Sequence, residues 1–260
     1  INEFKFFQFL NNRKVHNIQQ GISLVRTERG NNFLVSKYSR GKPIKLDNSI
    51  FQENGFDKVL KSLSDLDKQR VINFDWNPNN ILFDGKHFTL IDFQWVLPFA
   101  KASSNPNIIV NGIEPVSNMT TFEMSTLAPY IYKTGNYDIL SSYLKAKAKY
   151  CKANLKRLKN APKRMRRFEL LRSRVFLKPS EAVLEAEKLR LAYLYNNMKK
   201  NYYLAPDLEG GKDQSLYKVF EAKAKEAVMK LSSLDTNDNN PLISEYLALM
   251  KEYGKNIVDV

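Results

Sequence analysis

The stretch Val71-Ile72-Asn73-Phe74-Asp75-Trp76-Asn77-Pro78-Asn79-Asn80-Ile81-Leu82-Phe83-Asp84-Gly85-Lys86-His87-Phe88-Thr89-Leu90-Ile91-Asp92-Phe93-Gln94-Trp95 carries the densest information in the chain. A short apolar run leads into a polar loop. An apolar triplet, an Asp-Gly turn and a second apolar run then predict a tight β-hairpin. The turn returns the chain so that Asp92 ends beside Asn80, at the same end of the hairpin as the loop that holds Asp75. Two carboxylates and one amide therefore converge. A carboxylate with an amide oxygen is a hard-oxygen donor pair suited to Mg²⁺. A second carboxylate on the loop is placed to orient or deprotonate a hydroxyl. These are the parts that phosphoryl transfer from a Mg-nucleotide needs.

Upstream, Glu3–Leu10 is aromatic-dense and reads as the end of a helix, with Phe4, Phe6, Phe7 and Phe9 as core residues. Ile22–Arg26 and Asn32–Tyr38, separated by Glu28-Arg29-Gly30-Asn31, predict a second hairpin. Val59, Leu60, Leu63 and Leu66 recur at helical spacing and predict a helix over about 56–66. Downstream, 100–119 is irregular, and Thr120 with Glu123 predicts a capping box that opens a helix to about Lys133. Helices follow over about 136–160, 165–175, 180–200, 214–232 and 241–254, punctuated by Pro162, Pro179, Pro206 and Pro241.

The unit at 71–95 resembles the protein-kinase-like superfamily, in particular its small-molecule branch of aminoglycoside and choline phosphotransferase-like proteins. That family's loop, His-x-Asp-x-x-x-x-Asn, precedes a hairpin and Asp-Phe-Gly. Here Asn73 stands at the His position, and Asp92-Phe93-Gln94 replaces Asp-Phe-Gly. Asp92-Phe93-Gln94-Trp95 is also similar to kinase-like domains of polysaccharide-biosynthesis proteins. The resemblance implies Asp75 as catalytic base, Asn80 and Asp92 as Mg²⁺ ligands, and ATP as phosphate donor. It implies an acceptor hydroxyl on a small molecule or sugar, such as a cell-envelope glycan. Residues 33–44 resemble the last N-lobe strand, the hinge and the start of the C-lobe, which implies that Lys37, Tyr38 and Ser39 lie next to the nucleotide. No Gly-rich loop or strand Lys precedes this hinge, and the chain opens on Ile1. The expectation is a fragment whose remaining N-lobe lies upstream.

The fold class expected is α+β: a truncated N-lobe over 1–40, a kinase-like C-lobe over 41–142, and a mainly α-helical C-terminal region over 143–260. The alternative is a catalytically inactive kinase-derived scaffold whose basic helices are the working surface.

Charge bears on that helical region. The chain of 260 residues has 41 Lys+Arg against 27 Asp+Glu, a net charge of +14. Residues 145–178 hold 14 of the basic groups and a single acid, Glu169, a local net of +13. The remainder is nearly neutral. Such a segment, with Tyr150, Met165, Phe168, Leu170, Leu171, Val175 and Phe176 interleaved, suits an anionic membrane surface. Nucleic acid ranks behind it, because no recognition module is legible. The single cysteine, Cys151, excludes an intramolecular disulfide framework and a multi-cysteine zinc site. Its lysine neighbours raise the question of a lowered thiol pKa. No run approaches the roughly 18 apolar residues of a membrane span, and no signal peptide is legible. The expected setting is cytoplasmic, with membrane association through 145–178. Trp76 and Trp95 read as packing residues, and His87 as a solvated turn residue.

Overall fold

The computed structural model describes residues 2–13, 15, 17–44, 55–73, 75–93, 96–98, 109–110, 114–115, 117–204 and 214–258. It is a mixed α and β structure, 63% helical, with small antiparallel sheets. The chain divides into two compact units: Ile1–Pro106 with Ser117–Phe122, and Asn107–Val116 with Glu123–Val260. The boundary falls at other points than residues 40 and 142. Gln94 and Trp95 lie outside the described residues.

In the first unit, α1 (Asn2–Asn12) buries Phe7 and Leu10 and leaves Phe4, Phe6 and Phe9 half-buried. Strands β1 (Gly21–Arg26) and β2 (Asn32–Ser36) form the upstream hairpin, with Val25 opposite Phe33. Helix α2 (Gly55–Lys68) turns Phe56, Val59, Leu60, Leu63 and Leu66 into the core and its lysines outward, as its periodicity predicts. Strand β4 (Val71–Asn73) pairs with β7 (Val96–Pro98). The second sheet runs β3 (Lys42–Pro43), β5 (Ile81–Phe83), β6 (Phe88–Leu90), all antiparallel, and Ile18 bridges Leu90 on its far side. Gly41 makes β3 possible. Its φ is +114°, and a Cβ there would stand 2.7 Å from the Phe83 carbonyl. Short β8 (Ile109–Val110) and β9 (Glu114–Pro115) pair in the other unit.

Helix α3 (Asn118–Phe122) corrects the expected capping box. The helix starts two residues earlier, and the Ser117 hydroxyl accepts from the Thr120 amide at 3.2 Å. Thr120 is thus interior to the helix, and Glu123 is committed elsewhere. The chain continues as a π-helical turn, Glu123–Leu127, and α4 (Ala128–Thr134). Then come α5 (Tyr137–Arg157), α6 (Lys163–Val175), α7 (Glu181–Leu204), α8 (Gln214–Ser233) and α9 (Pro241–Val258). No described helix is long and apolar enough to cross a membrane.

The core of the helical unit is charged as well as apolar. Glu114, Glu123, Lys147, Glu169, Arg172, Glu187 and Arg190 are all buried. Arg190 contacts Glu114 at 3.0 Å, Glu123 at 2.9 Å and Glu187 at 2.9 Å. Arg172 contacts Glu114 at 3.1 Å and Glu169 at 3.0 Å, and Lys147 pairs with Glu123. Tyr143 donates to Glu123 and Tyr246 to Glu187. Burial pushes the Glu123 carboxyl up, but Arg190, Lys147 and Arg172 outweigh it and hold the group well below the usual carboxylate range. Burial opposes ionisation of Glu187 too, and Arg190 and Arg172 again win.

This cluster revises the picture of one basic face over 145–178. Lys147 and Arg172 serve the interior, and Arg164 and Arg167 pair with Glu252 and Glu245 of α9. Lys145, Lys149, Lys152 and Lys156 remain exposed. Their spacing of four, three and four residues puts them along one stripe of α5.

Candidate active site

The site begins with a buried asparagine that sequence reasoning does not single out. Asn118 opens α3 and is fully buried. Its Oδ1 accepts from the Asn73 amide at 2.9 Å and from the Trp76 indole N–H at 3.1 Å. Its Nδ2 donates to Asp67 Oδ1 and the Val71 carbonyl, both at 2.8 Å. One side chain thus ties the end of α2 and strand β4 to the loop. An Asn at a helix start reads in sequence as an ordinary cap, so no signal marks this role.

The loop is built from that anchor. Trp76 is buried as packing, edge-on to Phe93 at 5.7 Å between ring centroids. Phe93 also meets Phe6 and Phe7 of α1. This apolar knot holds both ends of the hairpin segment in place. Asn77 caps a 3₁₀ turn, Pro78–Asn80, by accepting from the Asn79 amide at 2.9 Å.

Asp75 and Asn80 meet directly. Asn80 Nδ2 donates to the Asp75 carbonyl at 2.9 Å and to Asp75 Oδ2 at 3.2 Å. Asn77 Nδ2 donates to Asp75 Oδ1 at 2.9 Å, and the Asp75 amide donates to Asn73 Oδ1 at 3.2 Å. With its nitrogen engaged, Asn80 keeps Oδ1 as the atom to offer a cation. The hairpin then closes as its sequence predicts: the Ile91 amide donates to the Asn80 carbonyl at 2.9 Å, which sets Asp92 one residue beyond that pair.

Asp92 has a backbone φ of +58°, the left-handed region. Asp tolerates that region better than most non-glycine residues, and Asn17 and Arg70 adopt it as well. The Asp92 carbonyl accepts from Asn73 Nδ2 at 3.0 Å. Asn73 therefore links the Asp75 loop to Asp92. Asp75, Asn80 and Asp92 share one end of the hairpin through these bonds. An amide oxygen with a carboxylate is a donor set that fits Mg²⁺. Among the described residues no group of three or more His, Cys, Asp or Glu side chains gathers as a metal cluster.

The residues expected beside a nucleotide lie elsewhere on the same unit. Lys37, Tyr38 and Ser39 follow β2, and the Lys37 amide donates to the Gln20 carbonyl at 2.8 Å. Tyr38 is exposed and borders a hollow of about 710 Å³ with Arg40, Pro43, Phe83 and Asp84. That hollow is at the turn end of the hairpin, where Asp84 Oδ1 accepts from the amides of Lys86 and His87. Those amides hold the Asp84 carboxyl below its ordinary pKa. His87 is exposed beside it, as a solvated turn residue.

Cys151 is not activated by its lysine neighbours. The thiol is fully buried, and burial, with the Glu169 carboxylate next, pushes its pKa up. Compared with family models, curated proteins and solved structures, the chain matches none.

Proposed function

We propose that this chain is a kinase-like, ATP- and Mg²⁺-dependent phosphotransferase that acts on a hydroxyl of a small molecule or sugar. The observation that carries the reading is the pair of hydrogen bonds from Asn80 to Asp75, on the hairpin end that also bears Asp92. Asp75 accepts the acceptor hydroxyl's hydrogen bond and takes its proton as the oxygen bonds to the γ-phosphorus of ATP, while the bond to the bridging oxygen breaks and ADP leaves. Asn80 fixes the Asp75 carboxylate, and Asn73 fixes the backbone of Asp92. Asn80 and Asp92 are the residues that hold Mg²⁺, which neutralises charge on the phosphates when bound. The hollow at Tyr38 and Phe83 has the size of a ligand site. Phe83 lies three strand residues from Asn80, about 10 Å along β5. An extended nucleotide has that reach between base and terminal phosphates.

The test is transfer of phosphate from Mg-ATP to a panel of sugars, amino alcohols and aminoglycosides. Asp75→Asn should remove transfer and keep Mg-ATP binding. Transfer undiminished in Asp75→Asn contradicts the assignment of the base. Absence of Mg-ATP binding favours the scaffold reading instead.

The exposed lysine stripe of α5 supports a second element of the proposal: this helix contacts an anionic membrane surface. Attraction of about 1 kcal/mol per basic residue near such a surface makes four aligned lysines sufficient for reversible binding.

A further inference from the structure

A second hollow lies within the helical unit and belongs to none of the chemistry above. It encloses about 230 Å³ between α4, α7 and α8. Its floor is apolar and small, from Leu189, Ala192 and Ala227. At that floor sits Asn196, 1% exposed. Among the described residues, neither its Nδ2 nor its Oδ1 has a hydrogen-bond partner. A buried amide in this state costs roughly 1–3 kcal/mol per unmet group, and such a side chain is retained where something else satisfies it.

The rim is cationic. Lys188, Lys223 and Lys230 line it with Glu185 and Glu226. The carboxylates are engaged: Glu226 pairs with Lys230 at 3.0 Å, and Glu185 accepts from the Tyr137 hydroxyl. The other two ammonium groups lie against rings. Lys223 is 5.3 Å from the Tyr132 centroid, and Lys188 is 5.1 Å from that of Tyr137 while donating to its hydroxyl at 3.3 Å. Positive charge at the mouth selects an anion. An unmet donor and an unmet acceptor at the floor select a group that both accepts and donates. Carboxylate, sulfate and phosphate-monoester oxygens mainly accept at neutral pH, whereas inorganic phosphate keeps a hydroxyl.

We propose that this hollow is a binding site for a small protonated oxyanion, inorganic phosphate. Asn196 Nδ2 donates to an anionic oxygen, Asn196 Oδ1 accepts from the P–OH group, and Lys188 and Lys223 balance the charge. The volume limits the ligand. It holds about eight waters at roughly 30 Å³ each, enough for a phosphate ion with part of its hydration.

The experiment titrates the whole chain with sodium phosphate and, separately, sodium sulfate at pH 7 and fixed ionic strength, read by thermal shift and calorimetry. Phosphate should raise the melting temperature more than sulfate does. Asn196→Leu should abolish that increment and unfold no earlier than the wild type, since it removes an unmet polar group. Lys223→Gln, at an exposed position, should weaken phosphate binding about tenfold and lower the unliganded melting temperature only slightly, through the lost contact with Tyr132. If Asn196→Leu unfolds early, Lys223→Gln alone carries the test. Equal shifts from phosphate and sulfate, or a phosphate shift preserved in both variants, would mean adventitious anion binding to a basic surface and would overturn the proposal. No phosphate shift at tens of millimolar would leave the hollow a water site, which overturns it equally.

Discussion

Replacing Arg190 with Met tests the least expected feature of the fold. The side chain is fully buried and touches Glu114, Glu123 and Glu187 at 2.9–3.0 Å. At an effective dielectric of about 20, each contact carries roughly 5 kcal/mol of gross Coulomb attraction. Desolvation of the guanidinium offsets most of that sum. What remains after breaking one side of such an arrangement is a net loss of about 3–5 kcal/mol. The cluster would go from four carboxylates against three cations to four against two. For a unit of this size the loss corresponds to a fall in melting temperature of roughly 10 °C.

The pH dependence gives a second, sharper reading of the same variant. In the wild type, Glu123 and Glu187 have depressed pKa values. Their contribution is therefore complete above the unfolded carboxyl value of about 4.3 and is lost as pH falls below it. Without Arg190, burial is opposed only by Lys147 and Arg172, so the native-state pKa values of both carboxyls rise. Arg190→Met should then gain stability relative to wild type between pH 7 and pH 5. Urea unfolding followed by far-UV circular dichroism measures both effects. Tryptophan fluorescence, from Trp76 and Trp95, reports separately on the first unit. A loss under about 1 kcal/mol, the range of an exposed pair, together with a gap that does not change with pH, would refute the reasoning.

Asn118→Ala should destabilise the first unit by about 3 kcal/mol, because it removes four buried side-chain hydrogen bonds at once; Trp76 fluorescence during denaturation measures it, and a loss below about 1 kcal/mol contradicts the anchoring role. Cys151 should resist thiol reagents at pH 8 in the native protein and react on unfolding, since its pKa is raised; rapid native labelling would contradict its burial. Changing Lys149, Lys152 and Lys156 together to Gln should weaken binding to phosphatidylserine-containing vesicles about a hundredfold, at roughly 1 kcal/mol per residue. Equal wild-type binding to neutral vesicles, or tighter binding to polynucleotide, would contradict a membrane role.

Much of the local structure is legible in the sequence for definable reasons. The helix boundaries near 162, 179 and 241 follow from proline, and α2 follows from its apolar spacing. The hairpin that sets Asn80 near Asp92 follows from Asp84-Gly85. Long-range polar pairing is not legible. Lys147 and Arg172 sit in a run of like charge and read as solvated, yet Glu123 and Glu114, from distant segments, draw them inside. Glu187 and Arg190 at (i, i+3) look like a surface pair and are the centre of a core. Within the candidate site, Asp75 and Asn80 announce themselves by spacing. Asn73 and Asn118 act through bonds to distant backbone, which no local pattern encodes.

The most direct measurement is Mg-ATP binding by calorimetry on the whole chain and on Asp92→Asn, with ATP alone as reference. Loss of one carboxylate ligand should weaken Mg-dependent binding by tenfold or more, about 1.4 kcal/mol or more, and leave Mg-free binding unchanged. Identical Mg-ATP affinity in the variant, or no binding by the wild type, would contradict the assignment of Asp75, Asn80 and Asp92 as a phosphotransferase centre.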